Sequence, residues 1–190
     1  MNRRYINQLA AVFGLFSILA LTAVTAFGHC DTMDGPVVRA AQSALKTRNV
    51  NLVMIWVKEK DEAEVREAFR KTLNVRRLSP TARELADRYF FETVVRLHRT
   101  GEGAAYTGLK PAGTDLGPVI PVADKALHNG VLEPLLKLFP NTARPDIENR
   151  FRKTVVRKNF NKNDVEAGRQ YVEAYSSFLE YLEHLYEQTL

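Results

Sequence analysis

The chain has 190 residues, 45% of them hydrophobic and 26% charged. That balance belongs to a folded globular domain and excludes a disordered or fibrous one. The net charge of +5 is too mild to point to nucleic acid, and a single cysteine excludes an internal disulfide framework.

Residues 1–28 read as an export signal. Arg3 and Arg4 are the only charged side chains in this stretch, which leaves 25 basic and 22 acidic residues, a net of +3, for the rest. Asn2, Arg3 and Arg4 form a short positive start, Leu9 to Ala20 an apolar run, and small residues follow. Cleavage after Ala26 leaves Phe27 first, and cleavage after Gly28 leaves His29 first. The protein is therefore expected in the periplasm or outside the cell. The alternative is an uncleaved anchor, since the 19 uncharged residues from Leu9 to Phe27 just suffice to span a bilayer.

Both new termini can chelate a metal. With His29 first, its amine and imidazole form one chelate, with the Cys30 thiol and Asp31 carboxylate adjacent. With Phe27 first, the amine, two backbone nitrogens and the His29 imidazole make a square plane that suits Cu(II) or Ni(II). The bland alternatives are a frayed terminus without function, and an intermolecular disulfide through Cys30.

The remainder, residues 29–190, reads as one all-α helical bundle of roughly six to seven helices with a single long glycine-rich loop. Asp34-Gly35-Pro36 is a turn into a helix that buries Val37, Val38, Ala41, Ala44 and Leu45 and runs to about Thr47. Residues 50–57, VNLVMIWV, read as a buried helix, with a strand as the lesser option and Met54 and Trp56 as core. The charged helix after it buries Val65, Ala68, Phe69 and Leu73. Ser79 and Pro80 start the next helix, with Ser79 as N-cap. Its apolar positions are Leu85, Tyr89, Val94 and Leu97. Phe91, Val95 and His98 share one edge, so His98 is expected to be half-buried. His98 is either a hydrogen-bonded core histidine or a metal or acid–base residue working with Glu102 or Glu92. Glu92 also has ion-pair partners at Arg88 and Arg96.

Residues 101–117 hold five of the ten glycines, too many for a helix. They match neither a dinucleotide fingerprint nor a P-loop. The stretch reads as a wall beside His98, with Tyr106 and Lys110 as its useful polar groups. Two shorter helices follow, Val119 to His128 and Leu132 to Phe139. Residues 141–163 carry seven basic and two acidic side chains, residues 164–190 one basic and six acidic. Val165, Gly168, Val172, Tyr175, Leu179, Leu182 and Tyr186 make a heptad seam of about three repeats. It fits antiparallel packing inside the bundle or a partner helix. Glu173, Glu180 and Glu187 lie off the seam and read as a solvated face, with His184 a weak metal candidate beside it.

Two resemblances follow from these residues. His29-Cys30-Asp31 resembles the N-terminal hook of nickel superoxide dismutase, where a terminal amine, a histidine and two cysteines bind nickel; here Asp34 stands at the place of the second cysteine. The segments HCDTMDGPVV, FFETVVRLHRTGEGAAYTGLKPAG and RQYVEAYSSFLEYLEH resemble an uncharacterised family of exported bacterial helical proteins, which implies one exported helical domain. No HExxH, paired CxxC or GxSxG motif is present, and the paired ExxH of di-iron bundles is absent, so no enzyme class is indicated. The leading functional expectation is an exported protein that holds Cu or Ni at its processed terminus. The candidate donors are His29, Cys30 and Asp31, with His98, Glu92 and Glu102 as a second group. The alternative is a cell-envelope interaction or structural protein without metal. It would use the basic 141–163 helix and the C-terminal seam to hold a helix partner or a second copy. Membrane contact is expected only through an uncleaved signal.

Overall fold

The computed structural model describes residues 28–189. The expected signal, apart from Gly28, lies outside them. Eight α-helices are described: α1 Pro36–Thr47, α2 Asn51–Met54, α3 Glu62–Val75, α4 Pro80–Gly101, α5 Val119–Asn129, α6 Glu133–Leu136, α7 Arg144–Lys158 and α8 Val165–Glu187. A 3₁₀ turn, His29–Asp31, precedes them. The fold is an all-α bundle with no strand among the described residues; one isolated parallel bridge pairs Thr32 with Lys110. None of the described helices is long and apolar enough to cross a membrane.

The helix starts follow local chemistry. Gly35 and Pro36 open α1, because proline's fixed φ suits the first helical position. The Ser79 hydroxyl accepts the Ala82 amide at 3.0 Å and caps α4. Asp164 does the same for α8 from Ala167 at 2.9 Å. Gly130, at φ 77°, ends α5 in the left-handed region.

Three expectations change. Residues 50–57 give one helical turn, α2, and then two tight turns in which Trp56 donates to Val53 and Val57 to Met54. An apolar run has no period to hold a longer helix, but Met54 and Trp56 are core, at 0% and 8% exposure. The expected helix from Leu132 to Phe139 shortens to Glu133–Leu136. Leu85 and Tyr89 face solvent, 67% and 48% exposed. The face of α4 that packs inward carries Ala86, Phe90, Phe91, Val94, Val95, Leu97 and His98, rotated from the one the sequence suggested.

The C-terminal pair settles the use of the heptad seam. Arg150 reaches Ser177, Phe151 stacks near Phe178, and Thr154 donates to the Ala174 carbonyl. From Phe151 to Thr154 the partner on α8 steps back from Phe178 to Ala174, so the two helices are antiparallel. Gly168, Val172, Tyr175, Leu179 and Leu182 are all buried. The seam is thus used inside the domain.

Candidate functional site

The His29–Asp31 turn is held at its back by glycine. A Cβ on Gly35 would meet the His29 carbonyl at 2.2 Å, so only glycine lets α1 start this close. At its front the glycine-rich segment clamps it. Lys110 donates to the Asp31 carbonyl at 2.9 Å, and Met33 donates to the Lys110 carbonyl at 3.0 Å. The Asp34 carboxylate accepts the Gly113 amide at 3.0 Å, which holds Asp34 below the usual carboxylate range. The loop is therefore a wall, as expected, but Lys110 serves through its backbone.

His29 lies between α5 and α8 and is 8% exposed. Its Nε2 is 2.7 Å from Asp124 Oδ2. The Tyr175 hydroxyl donates to Asp124 Oδ1 at 2.8 Å and sits 3.4 Å from His29 Nδ1. A hydroxyl has one hydrogen. With that hydrogen on Asp124, the Tyr175 oxygen offers Nδ1 none, so Nδ1 is the loosely held nitrogen of the ring. Burial, and then Asp124, push the Tyr175 hydroxyl well above its ordinary value, so it stays a donor. This trio lines a cavity of about 660 Å³ that Arg39, Trp56 and Lys158 also line, a size within the range of small-molecule sites.

The next two residues are buried as well. Cys30 is 7% exposed. Burial first, and then Glu102 and Asp31, push its thiol well above the ordinary value. It is a protonated core side chain, neither a ready thiolate nor a surface thiol for a disulfide. Asp31 is 1% exposed, 3.4 Å from Arg99 Nε. Burial raises its carboxyl and Arg99 opposes the rise. Arg99 also pairs with Glu102 at 3.5 Å.

His98 is fully buried rather than half-buried, at 3% exposure. Its Nδ1 is 2.9 Å from the Trp56 carbonyl, and its Nε2 is 3.4 Å from Glu102 Oε1. Burial pushes it down to about 4, with the Trp56 hydrogen bond opposing. The pairing of His98 with Glu102 was legible from their i, i+4 spacing. Glu92 does not join them. It is six residues before His98, about 240° around the helix, and it binds Arg88 at 3.0 Å. Glu173, Glu180 and Glu187 are exposed, and exposed His184 pairs with Gln188 at 2.8 Å.

Asp124, Tyr175 and Arg99 are the participants sequence reasoning missed. Tyr175 read as one more seam residue, and Asp124 was not singled out at all. The signal in each was a polar atom set into an apolar face. Among the described residues, no group of three or more His, Cys, Asp or Glu side chains is arranged to hold a metal ion.

The fold and this buried polar turn define an all-α bundle that seats its N-terminal segment against the first and last long helices. Over residues 34–181 the chain matches a family of unknown function, DUF6448, and it belongs to that family. The matched span starts after His29, Cys30 and Asp31 and includes His98, Glu102, Asp124 and Tyr175. No curated protein and no solved structure matches the chain.

Proposed function

We propose that the processed, exported protein binds one Cu(II) or Ni(II) ion at its new N-terminus, with His29 as the anchoring residue. The observation that carries this reading is the division of labour on the His29 ring. Asp124 holds Nε2 at 2.7 Å, the arrangement by which a carboxylate orients a metal-binding histidine. Nδ1, the nitrogen closest to the backbone and to a terminal amine, keeps only a 3.4 Å neighbour. Side chains alone do not make a site here, so the terminal amine is the donor that completes a chelate.

The residues fit such an ion unequally. His29 supplies Nδ1, and Asp124 and Tyr175 fix the ring. Cys30 would have to give up a proton that its burial retains, and Asp31 is engaged with Arg99. His98 and Glu102 belong to a separate cleft. A bound ion would supply metal handling, sensing or redox chemistry, beside a cavity that admits a small ligand.

Mass spectrometry of the exported chain identifies its first residue. Competition titration with Cu(II) should then show affinity rising from about pH 6 to pH 8, as the amine loses its proton. His29→Ala should remove binding, and Asp124→Asn should weaken it about tenfold or more. Cys30→Ser should leave it nearly unchanged. One residue added before the mature terminus should abolish it. Equally tight binding by the extended protein would rule out the terminal chelate.

One observation favours the second reading, an envelope interaction protein. Arg152, Lys153 and Arg157 are exposed along α7 around Val156, which is 73% exposed. Self-association, read by sedimentation velocity, that survives Lys153→Glu with Arg157→Glu would dispose of that reading.

A further inference from the structure

A second cleft, of about 380 Å³, lies between α8 and the chain from Ile55 to Lys58, with His98 and Glu102 at its floor. The carbonyl of Trp56 can only accept, so the hydrogen of the His98 ring sits on Nδ1. In the neutral ring Nε2 is then a lone pair. It has no hydrogen-bond partner among the described residues. Its near neighbour, Glu102 Oε1, is another acceptor at 3.4 Å. Two acceptors face each other in a buried place, with no donor between them. Glu102 takes one hydrogen bond from the Ser176 hydroxyl at 3.3 Å, and its other oxygen pairs with Arg99.

The walls describe what would fit. Ile55, Val57 and Val172 give the cleft an apolar side, and Glu173 and Glu180 bring two carboxylates to its rim. Of the two basic residues there, Arg169 is engaged by Glu62 and by the Val57 carbonyl. Lys58 lays its stem against Gly101 while its charge reaches both His98 and Glu102, so a ligand ammonium enters beside it.

We propose that this cleft binds the primary ammonium end of an alkylamine, which donates to His98 Nε2 and to Glu102 at once. An ammonium has three hydrogens and a charge, so it satisfies both acceptors, which a lone hydroxyl cannot. The alkyl chain lies along Ile55, Val57 and Val172, and the far end of a diamine reaches Glu173 and Glu180. This site is separate from the proposed His29 chelate and does not depend on it.

Diaminobutane, butylamine, butanol and tetramethylammonium, each titrated into the full protein, test the idea. The readouts are calorimetry and the imidazole nitrogen resonances of His98. Diaminobutane and butylamine should bind saturably and shift the Nε2 resonance. Butanol, which is neutral, and tetramethylammonium, which has no N–H, should not. Glu102→Gln keeps the shape, removes the charge and can give Nε2 a hydrogen of its own. It should weaken diaminobutane about tenfold or more, the loss expected for a charged hydrogen bond. Exposed Glu180→Gln should weaken diaminobutane more than butylamine without endangering the fold. Tetramethylammonium binding as well as butylamine, an unmoved His98 resonance at saturation, or unchanged affinity in Glu102→Gln would each overturn the proposal.

Discussion

Single residues in this protein are governed by burial more than by neighbours. His98 makes the case quantitatively. The structure pushes it down to about 4, while an unfolded histidine titrates near 6.5. Between those limits the unfolded chain takes up a proton that the native chain refuses. Stability therefore rises as pH rises from about 4 to 6.5, by about 3 kcal/mol from this residue. The groups around it are Arg99 on its own helix, Glu102 just past the end of that helix, Asp31 on the N-terminal turn, Lys58 before α3 and, across the cleft, Glu173 and Glu180 on α8. Asp31 and Glu102, both raised, act in the opposite sense and lose stability as pH rises. Denaturant titrations at several pH values should show a shallower rise in His98→Gln than in the parent. An identical slope in both would assign the effect elsewhere. The sequence located His98 and Glu102 because a four-residue spacing fixes their nearness. It could not show that Nε2 has no hydrogen-bond partner among the described residues, since that depends on where the turn after α2 puts the Trp56 carbonyl.

Elements are where the sequence spoke most clearly. The cap at Ser79 and the proline at the start of α1 are local devices, so they could be read one at a time. The seam of α8 was also legible, since a repeat of three and four leaves one face to bury. Its partner was not, because charge opposition between residues 141–163 and 164–190 fits an internal helix and a foreign one equally. Gly168 shows the closeness that decided it. A Cβ there would meet Ile55 Cγ2 at 2.3 Å and Phe160 Cε2 at 2.9 Å. Gly168→Ala, normally a gain in a helix, should instead destabilise by about 1–3 kcal/mol through overpacking. Thermal melting should show a lower midpoint, with the helical dichroism of the folded state unchanged. A higher midpoint would mean that α8 stands further from residue 55 than described. The misreadings share one cause. In Val50 to Val57 and in the first half of α4, apolar residues fall on more than one face, and packing chose between them.

At the scale of the whole molecule the N-terminal turn is a structural member. Cys30, Asp31 and Thr32 are each under 9% exposed, and the turn is pinned from behind by Gly35 and from the front by Lys110. A chain that begins at Asp34 should therefore melt lower than one that begins at Gly28. It should also show faster amide exchange in the 104–117 segment, which loses its backbone partners. Unchanged exchange there would mean that the segment holds its shape without the turn. The sequence read the glycine-rich segment as a wall beside His98, and the turn lies against that wall. It did not anticipate Asp124 and Tyr175, because no local pattern ties residue 29 to α5 and α8.

The same long reach governs timing. His29 meets a hydroxyl 146 positions further along the chain. A polypeptide emerges from its amino end, so the turn at His29 waits for α8. Contacts that far apart close late, because the intervening chain must first be ordered. The pocket at His29 thus does not exist in a nascent fragment that stops short of Tyr175, and whatever the turn holds can be acquired only once α8 has been made.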